Sequence, residues 1–214
     1  MLVANEDTNT EIEMISSRCG DDVTNNHALV TGLENEPCFE IEDIVKAIHR
    51  LVKGHRQACR FVVALTSDCD LISARITNIG TTDECSAYLH DIFRDAIIDS
   101  ARMIVVIATQ PNTTVIEPSP EDFVLADILS CAGVFVDIVV WDYVIVGKNG
   151  NYHSFREMND MMDTSAVFPA FVETLKNYAQ QRGEDETEEL LEMALDGELA
   201  LDHPFNSTPG AMFQ

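Results

Sequence analysis

The stretch Met-Ile-Val-Val-Ile-Ala-Thr-Gln-Pro-Asn-Thr-Thr-Val-Ile-Glu-Pro-Ser-Pro-Glu-Asp, running from Met103 to Asp122, decides how this chain is read. Met103–Ala108 is an unbroken apolar run, the pattern of a strand covered on both faces. Pro111 follows it, and the chain stays irregular as far as Pro118. Ser119-Pro-Glu-Asp122 then carries the signals of a helix start. A hydroxyl stands at the N-cap, a proline at the first helical position, and a carboxylate three residues after the cap, near the positive end of the helix dipole. The helix is expected to run to about Ala132, with Leu125, Ile128, Leu129 and Ala132 facing inward.

Outward from this unit the pattern alternates between helix and strand. Residues 40–56 predict an amphipathic helix with Ile44, Ile48, Leu51 and Val52 on one face, closed by Gly54. Phe61–Leu65 reads as a buried strand and Ser67–Asp70 as a turn. Leu71–Thr77 reads as a hairpin partner with Ile72, Ala74 and Ile76 on one face. Leu89–Ser100 predicts a helix with Leu89, Ile92, Phe93, Ala96 and Ile97 on its core side. Val134–Val140 and Tyr143–Val146 read as strands. Lys148–Asn151 is a turn leading to a short strand, Tyr152–Phe155. Pro169–Arg182 predicts a last helix in this region. The order implies an α/β sandwich, a mixed β-sheet flanked by helices.

A chain of 214 residues with 46% hydrophobic residues can fill one sizeable core. No apolar run approaches the roughly 20 residues that a membrane span requires. The acidic, polar start predicts no signal peptide. Six scattered cysteines without a Cys-x-x-Cys pair read as reduced, mostly buried thiols, so the protein is expected to be cytoplasmic. Cys59 or Cys131 as a nucleophile would need a histidine partner that the sequence does not place.

The net charge is −24, which opposes direct binding to a phosphate backbone by the molecule as a whole. The acids concentrate in two arms, residues 1–39 and residues 158–214. The second arm has an apolar stripe, Leu190, Leu191, Ala194 and Leu195, suited to contact with a partner. Lys46, Arg50, Lys53, Arg56 and Arg60 form the one basic cluster, expected to be a solvated helix face. His49 and His55 are expected to be solvated beside it. The six histidines show no HxH or HExxH spacing, and neither GxGxxG nor a P-loop occurs.

Residues 40–157 carry a series of landmarks in order. They are Ile79-Gly-Thr81, Tyr88-Leu-His-Asp-Ile-Phe-Arg-Asp-Ala96, the apolar strand ending in Pro111, Pro118-Ser-Pro-Glu-Asp122, Asp142-Tyr-Val-Ile-Val-Gly147 and Tyr152-His-Ser-Phe-Arg-Glu157. Together they resemble the RadC branch of the JAB/MPN (JAMM) family. The resemblance implies a JAB/MPN-like, cytidine-deaminase-like fold. In members with the full motif it implies a zinc metallopeptidase site: two histidines and an aspartate on the metal, a glutamate as general base on the bound water, and a serine beside the oxyanion.

This chain departs from that pattern where the chemistry lies. The positions of the family's His-Asn-His-Pro hold Ala108-Thr109-Gln110-Pro111. The general-base glutamate falls on Ala58, and no Asp or Glu occurs between Asp43 and Asp68. The histidine expected after Asp142 is Tyr143. Ser119 and Asp122 remain, and helix capping accounts for both. Ala58, Ala108, Gln110, Ser119 and Asp122 are therefore the vestigial pocket positions.

The leading expectation is a catalytically inactive, protein-binding or scaffold module, encoded by a phage or mobile element as the family context implies. Its partner would be a protein or a second copy of the chain. No cofactor, no metal, no direct nucleic-acid contact and no membrane are expected. A second expectation is an acidic DNA-mimicking inhibitor of a defence or repair protein. A third is a hydrolase with a non-standard metal set, using Asp122 with Glu117, Glu121 or a distant histidine. A peptide lying along a strand edge near Ala108, Gln110 and Asp122 is a further expected binding mode.

Overall fold

Apolar runs long enough for two-sided burial force helices onto both faces of a sheet. The computed structural model describes residues 28–29, 41–54, 56–82 and 85–182. Their elements are β1 (Ala28–Leu29), α1 (Ile41–Val52), β2 (Cys59–Leu65), β3 (Leu71–Ile79), α2 (Leu89–Ile98), β4 (Met103–Gln110), α3 (Pro120–Val136), β5 (Val139–Gly147), β6 (Tyr152–Ser154) and α4 (Val167–Arg182). The strands form one sheet in the order β1-β3-β2-β4-β5-β6. Only β4 and β5 are parallel, and α3 is the crossover that a parallel pair needs.

The sheet separates two cores. On one face Ile44, Val45 and Ile48 of α1 pack against Phe61, Val63, Val105, Ile107 and Val144. On the other, Ile92, Phe93 and Ala96 of α2 and Ala126 and Leu129 of α3 pack against Val62, Ala64, Ile104, Val106 and Tyr143. The strands β2 and β4 lie in the middle and alternate between the two cores, which is why both read as continuous apolar runs. Among the described residues no helix is long and apolar enough to cross a membrane.

Several local expectations need correction. The first helix ends at Val52, short of residue 56, and Gly54 (φ 94°) closes it. Ile72 faces outward. The pairing of β3 with β2 skips Ile72 and Thr77, and an extra residue in one strand reverses the alternation beyond it. Leu71, Ala74 and Ile76 therefore share the α1 face instead. In α2, Leu89 and Ile97 are exposed and Asp95 is buried, with Arg75 of β3 within 3.8 Å of its carboxylate.

Val134–Val136 is the last turn of α3, not the start of a strand. A short apolar run fits either structure, and the helix wins because its end is built in. Asp137 takes the left-handed conformation and Ile138 donates its N–H to the Gly133 carbonyl at 3.0 Å. Gly133 lets the Ile138 carbonyl approach where a Cβ would collide. β5 is then one strand, where two had been expected. In α3, Ile128 is exposed, and in α1 His49 is half-buried, its Nε2–H donating to the Lys148 carbonyl at 3.0 Å. Cys59 is the buried thiol; Cys69, Cys85 and Cys131 are only partly covered.

The start of α3 forms as expected. The Asp122 N–H donates to Ser119 Oγ, and the Asp122 carboxylate accepts from the Ser119 N–H at 2.9 Å, a complete capping box. Ser119→Ala is expected to lower stability by about 1 kcal/mol, read by chemical denaturation. The arm at residues 1–39, apart from Ala28 and Leu29, lies outside the described residues, as do Leu190, Leu191, Ala194 and Leu195.

Candidate functional site

Four side chains from three parts of the chain meet at the N-terminus of α3. The strand β2 brings Arg60, β5 brings Tyr143, and α3 with its cap brings Asp122 and Ser119. Arg60 is buried in the sheet, which corrects its assignment to a solvated basic face. Its Nη1 donates to the Tyr143 hydroxyl at 3.3 Å and its Nη2 to the Cys85 carbonyl at 3.2 Å. The Tyr143 hydroxyl in turn donates to Asp122 Oδ1 at 3.0 Å. Asp122 Oδ2 accepts from the Ser119 N–H at 2.9 Å and from Ser119 Oγ at 2.8 Å. A guanidinium thus reaches the carboxylate through a phenol.

The backbone explains why Tyr143 points this way. The pairing of β4 with β5 passes from Ile104–Val140 to Val105–Asp142 and skips Trp141. This extra residue puts Val140 and Tyr143 in the same core, although they are three residues apart. Tyr143 is fully buried, with its ring 5.0 Å from that of Phe155. Burial, the largest cause, and the neighbouring Asp122 push its hydroxyl up to about 12, with Arg60 opposing them. The phenol therefore stays protonated and remains a donor to Asp122.

Of the sequence-predicted positions, Ala108 lies beside this chain of contacts. It pairs directly across from Arg60 and packs in the same core as Tyr143. Ala58, buried, immediately precedes β2 and pairs through its backbone with Gly80 and Thr81. Gln110 ends β4 and pairs with Gly147. β4 is paired on both sides from Met103 to Ala108, and Thr109 and Gln110 pair with β5.

Arg60 and Tyr143 were not foreseen as a unit. The available signal was a lone arginine at the start of an otherwise apolar strand, because a charge so placed must find a partner.

The residues do not fit a catalytic zinc, which takes three protein donors and a water. Ala108 has no donor atom, and both oxygens of Asp122 are already engaged. Among the described residues no three His, Cys, Asp or Glu side chains gather where they could hold an ion. Nor is Cys59 a ready nucleophile: burial first, and the nearby Cys85, push its thiol up to about 12.

The strand–loop–capped-helix unit and the mixed sheet define an α/β domain with a JAB/MPN-like architecture. Residues 39–161 match the model of the RadC-like JAB domain, and the chain belongs to that family. It is similar to a UPF0758 protein of Cyanothece sp., 38% identical over 93 residues, covering 44% of this chain and 37% of the relative. A UPF0758 protein of Gloeothece citriformis is 31% identical over 127 residues, 57% of this chain and 51% of the relative. One of Thermotoga maritima is 31% identical over 100 residues, 47% and 44% respectively. The chain thus spans about half or less of the length of these relatives.

Proposed function

We propose that this RadC-like JAB domain acts by binding another protein and not by zinc-dependent hydrolysis. The observation that carries the reading is the enclosure of Asp122. The carboxylate that the family would place on a metal is held by Ser119 and Tyr143, with the Arg60 guanidinium behind. A protein-borne cation at this place offsets the charge that a metal would otherwise offset.

The outer surface of the α2/α3 layer supports a protein partner. Ile97, Ile98, Val124 and Ile128 are all exposed there. A helix apolar on both faces, such as α3, is ordinarily covered; α4 covers it at Phe135, which meets Phe171, and leaves Val124 and Ile128 open. A second copy of the chain is the simplest such cover, and a cytoplasmic location belongs to the same reading.

Purified protein, loaded with zinc and then dialysed, is expected to retain well under one zinc per chain. One zinc per chain, lost to a chelator together with a hydrolytic activity, would overturn the reading in favour of a hydrolase with a non-standard metal set. For the partner, Ile98→Glu with Ile128→Glu is expected to abolish self-association, or capture of the native partner, while leaving the circular dichroism spectrum unchanged. The charge of −24 favours a second reading, an acidic mimic of DNA directed at a nucleic-acid-binding protein. Competition by duplex DNA for the partner's site separates it from scaffolding.

A further inference from the structure

On the α1 side of the sheet, away from Asp122, lies a cleft of about 560 Å³. It opens between the end of α1, the loop after β4, and the β5–β6 turn. The volume is that of a site for a small organic ligand. Its lining includes Lys53, Arg56 and Lys148, and among the described residues that line it none is an Asp or Glu.

In a chain with 37 acidic and 13 basic residues, that local balance is the reverse of the whole. Several cations elsewhere sit beside carboxylates. Lys46 pairs with Glu42 and Asp43, Arg75 with Asp99, and Arg102 with Asp137. Lys53, Arg56 and Lys148 have no carboxylate partner among the described residues, and all three face one cleft.

The cleft is also held in shape before any ligand arrives. His49 ties α1 to the β5–β6 turn through the Lys148 carbonyl at 3.0 Å. The Lys148 N–H donates to the Thr113 carbonyl at 2.8 Å, and Asn112 Nδ2 donates to the Thr82 carbonyl at 2.9 Å. Walls fixed by such bonds lower the ordering cost of binding. Val52, Pro111 and Val146 supply an apolar part.

The geometry points to a binding site for a small phosphate-bearing molecule. Its phosphate would lie among Lys53, Arg56 and Lys148, and its organic body against Val52, Pro111 and Val146. A small anion suits this cleft better than a nucleic acid. Only the local field of the three cations acts strongly on it, whereas a long polyanion also meets the acidic remainder of the molecule. The site is independent of whether the Asp122 pocket is catalytically silent.

Calorimetric titration of the full chain tests it, with inorganic phosphate, pyrophosphate, a nucleoside monophosphate and a short single-stranded oligodeoxynucleotide as probes. Saturable binding of pyrophosphate or the nucleoside monophosphate is expected, weakened by added salt. Lys53→Ala and Lys148→Ala are each expected to weaken it about tenfold or more. Both side chains are exposed, so the fold should tolerate the changes, and Lys148→Arg is expected to retain most of the affinity. Absence of saturable binding by every probe, or equal affinity in the Lys53→Ala/Lys148→Ala double variant, would overturn the proposal. So would oligodeoxynucleotide binding that exceeds the mononucleotide's and tightens with length, because the ligand would then be nucleic acid.

Discussion

Tyr143→Ala is expected to lower the stability of this domain by about 3–5 kcal/mol, the range for emptying a fully buried aromatic site. Tyr143 is wholly buried, and its ring packs against Phe155 at 5.0 Å. The gentler Tyr143→Phe separates packing from polarity. It keeps the ring but leaves Arg60 Nη1 and Asp122 Oδ1 without the hydroxyl that joins them. That change is expected to cost about 1–3 kcal/mol. Arg60→Met should then be less damaging in the Tyr143→Phe background than alone, since the partner it leaves is already gone. Urea denaturation of the two single variants and the double variant gives this coupling directly. A Tyr143→Phe protein as stable as the parent would show that the guanidinium–phenol–carboxylate chain does not hold the pocket shut.

The second large effect is a dependence on pH set by Asp142. Its side chain is fully buried and accepts from Ser154 Oγ at 2.5 Å and from the Arg156 N–H at 3.0 Å. Burial raises its pKa from 3.8 to about 6, against the opposing hydrogen bonds from Ser154 and Arg156. Because the folded-state value is the higher one, the folded protein binds more protons than the unfolded chain between about pH 4 and pH 6. Stability from this group is therefore greatest at low pH and falls as pH rises through that window. At about 1.4 kcal/mol per pH unit, the loss is about 3 kcal/mol.

The other acids of the chain also titrate in this range, so the test is a comparison. The stability of Asp142→Asn relative to the parent is expected to improve by about 3 kcal/mol between pH 4 and pH 6 and to stay level above it. A difference that does not change with pH would show that Asp142 titrates normally.

The central unit was legible in the sequence because its signals are local. Met103–Ala108 could be read as a doubly covered strand from its run of apolar residues. Ser119, Pro120 and Asp122 mark a helix start because a cap needs only neighbours three residues apart. The landmarks from Ile79 to Glu157 pointed to the family that residues 39–161 match. Val134–Val136 was misread because three apolar residues suit a strand as well as the last turn of a helix. The φ of Asp137 (58°) and the close approach allowed at Gly133 decided between them. Leu89, Ile97 and Ile128 were expected inside on spacing alone. They are exposed because the facing element, not the period, determines which part of an apolar stripe is covered.

By itself the sequence determined the α/β class, the strand–loop–helix unit, the absence of an imidazole at Ala108 and Gln110, and the acidity of the chain. All of these are properties of residue type and short-range order. Tertiary structure alone decided that Arg60 and Tyr143, 83 positions apart, would meet Asp122, and that Lys53, Arg56 and Lys148 would face one cleft. Those meetings depend on strand register. One extra residue at Trp141 puts Tyr143 on the α3 side, and one at Ile72 turns that side chain out to solvent. The physical reason is that side chains alternate with a period of two along a strand. A single-residue slip therefore exchanges the two faces while leaving composition and motif order unchanged.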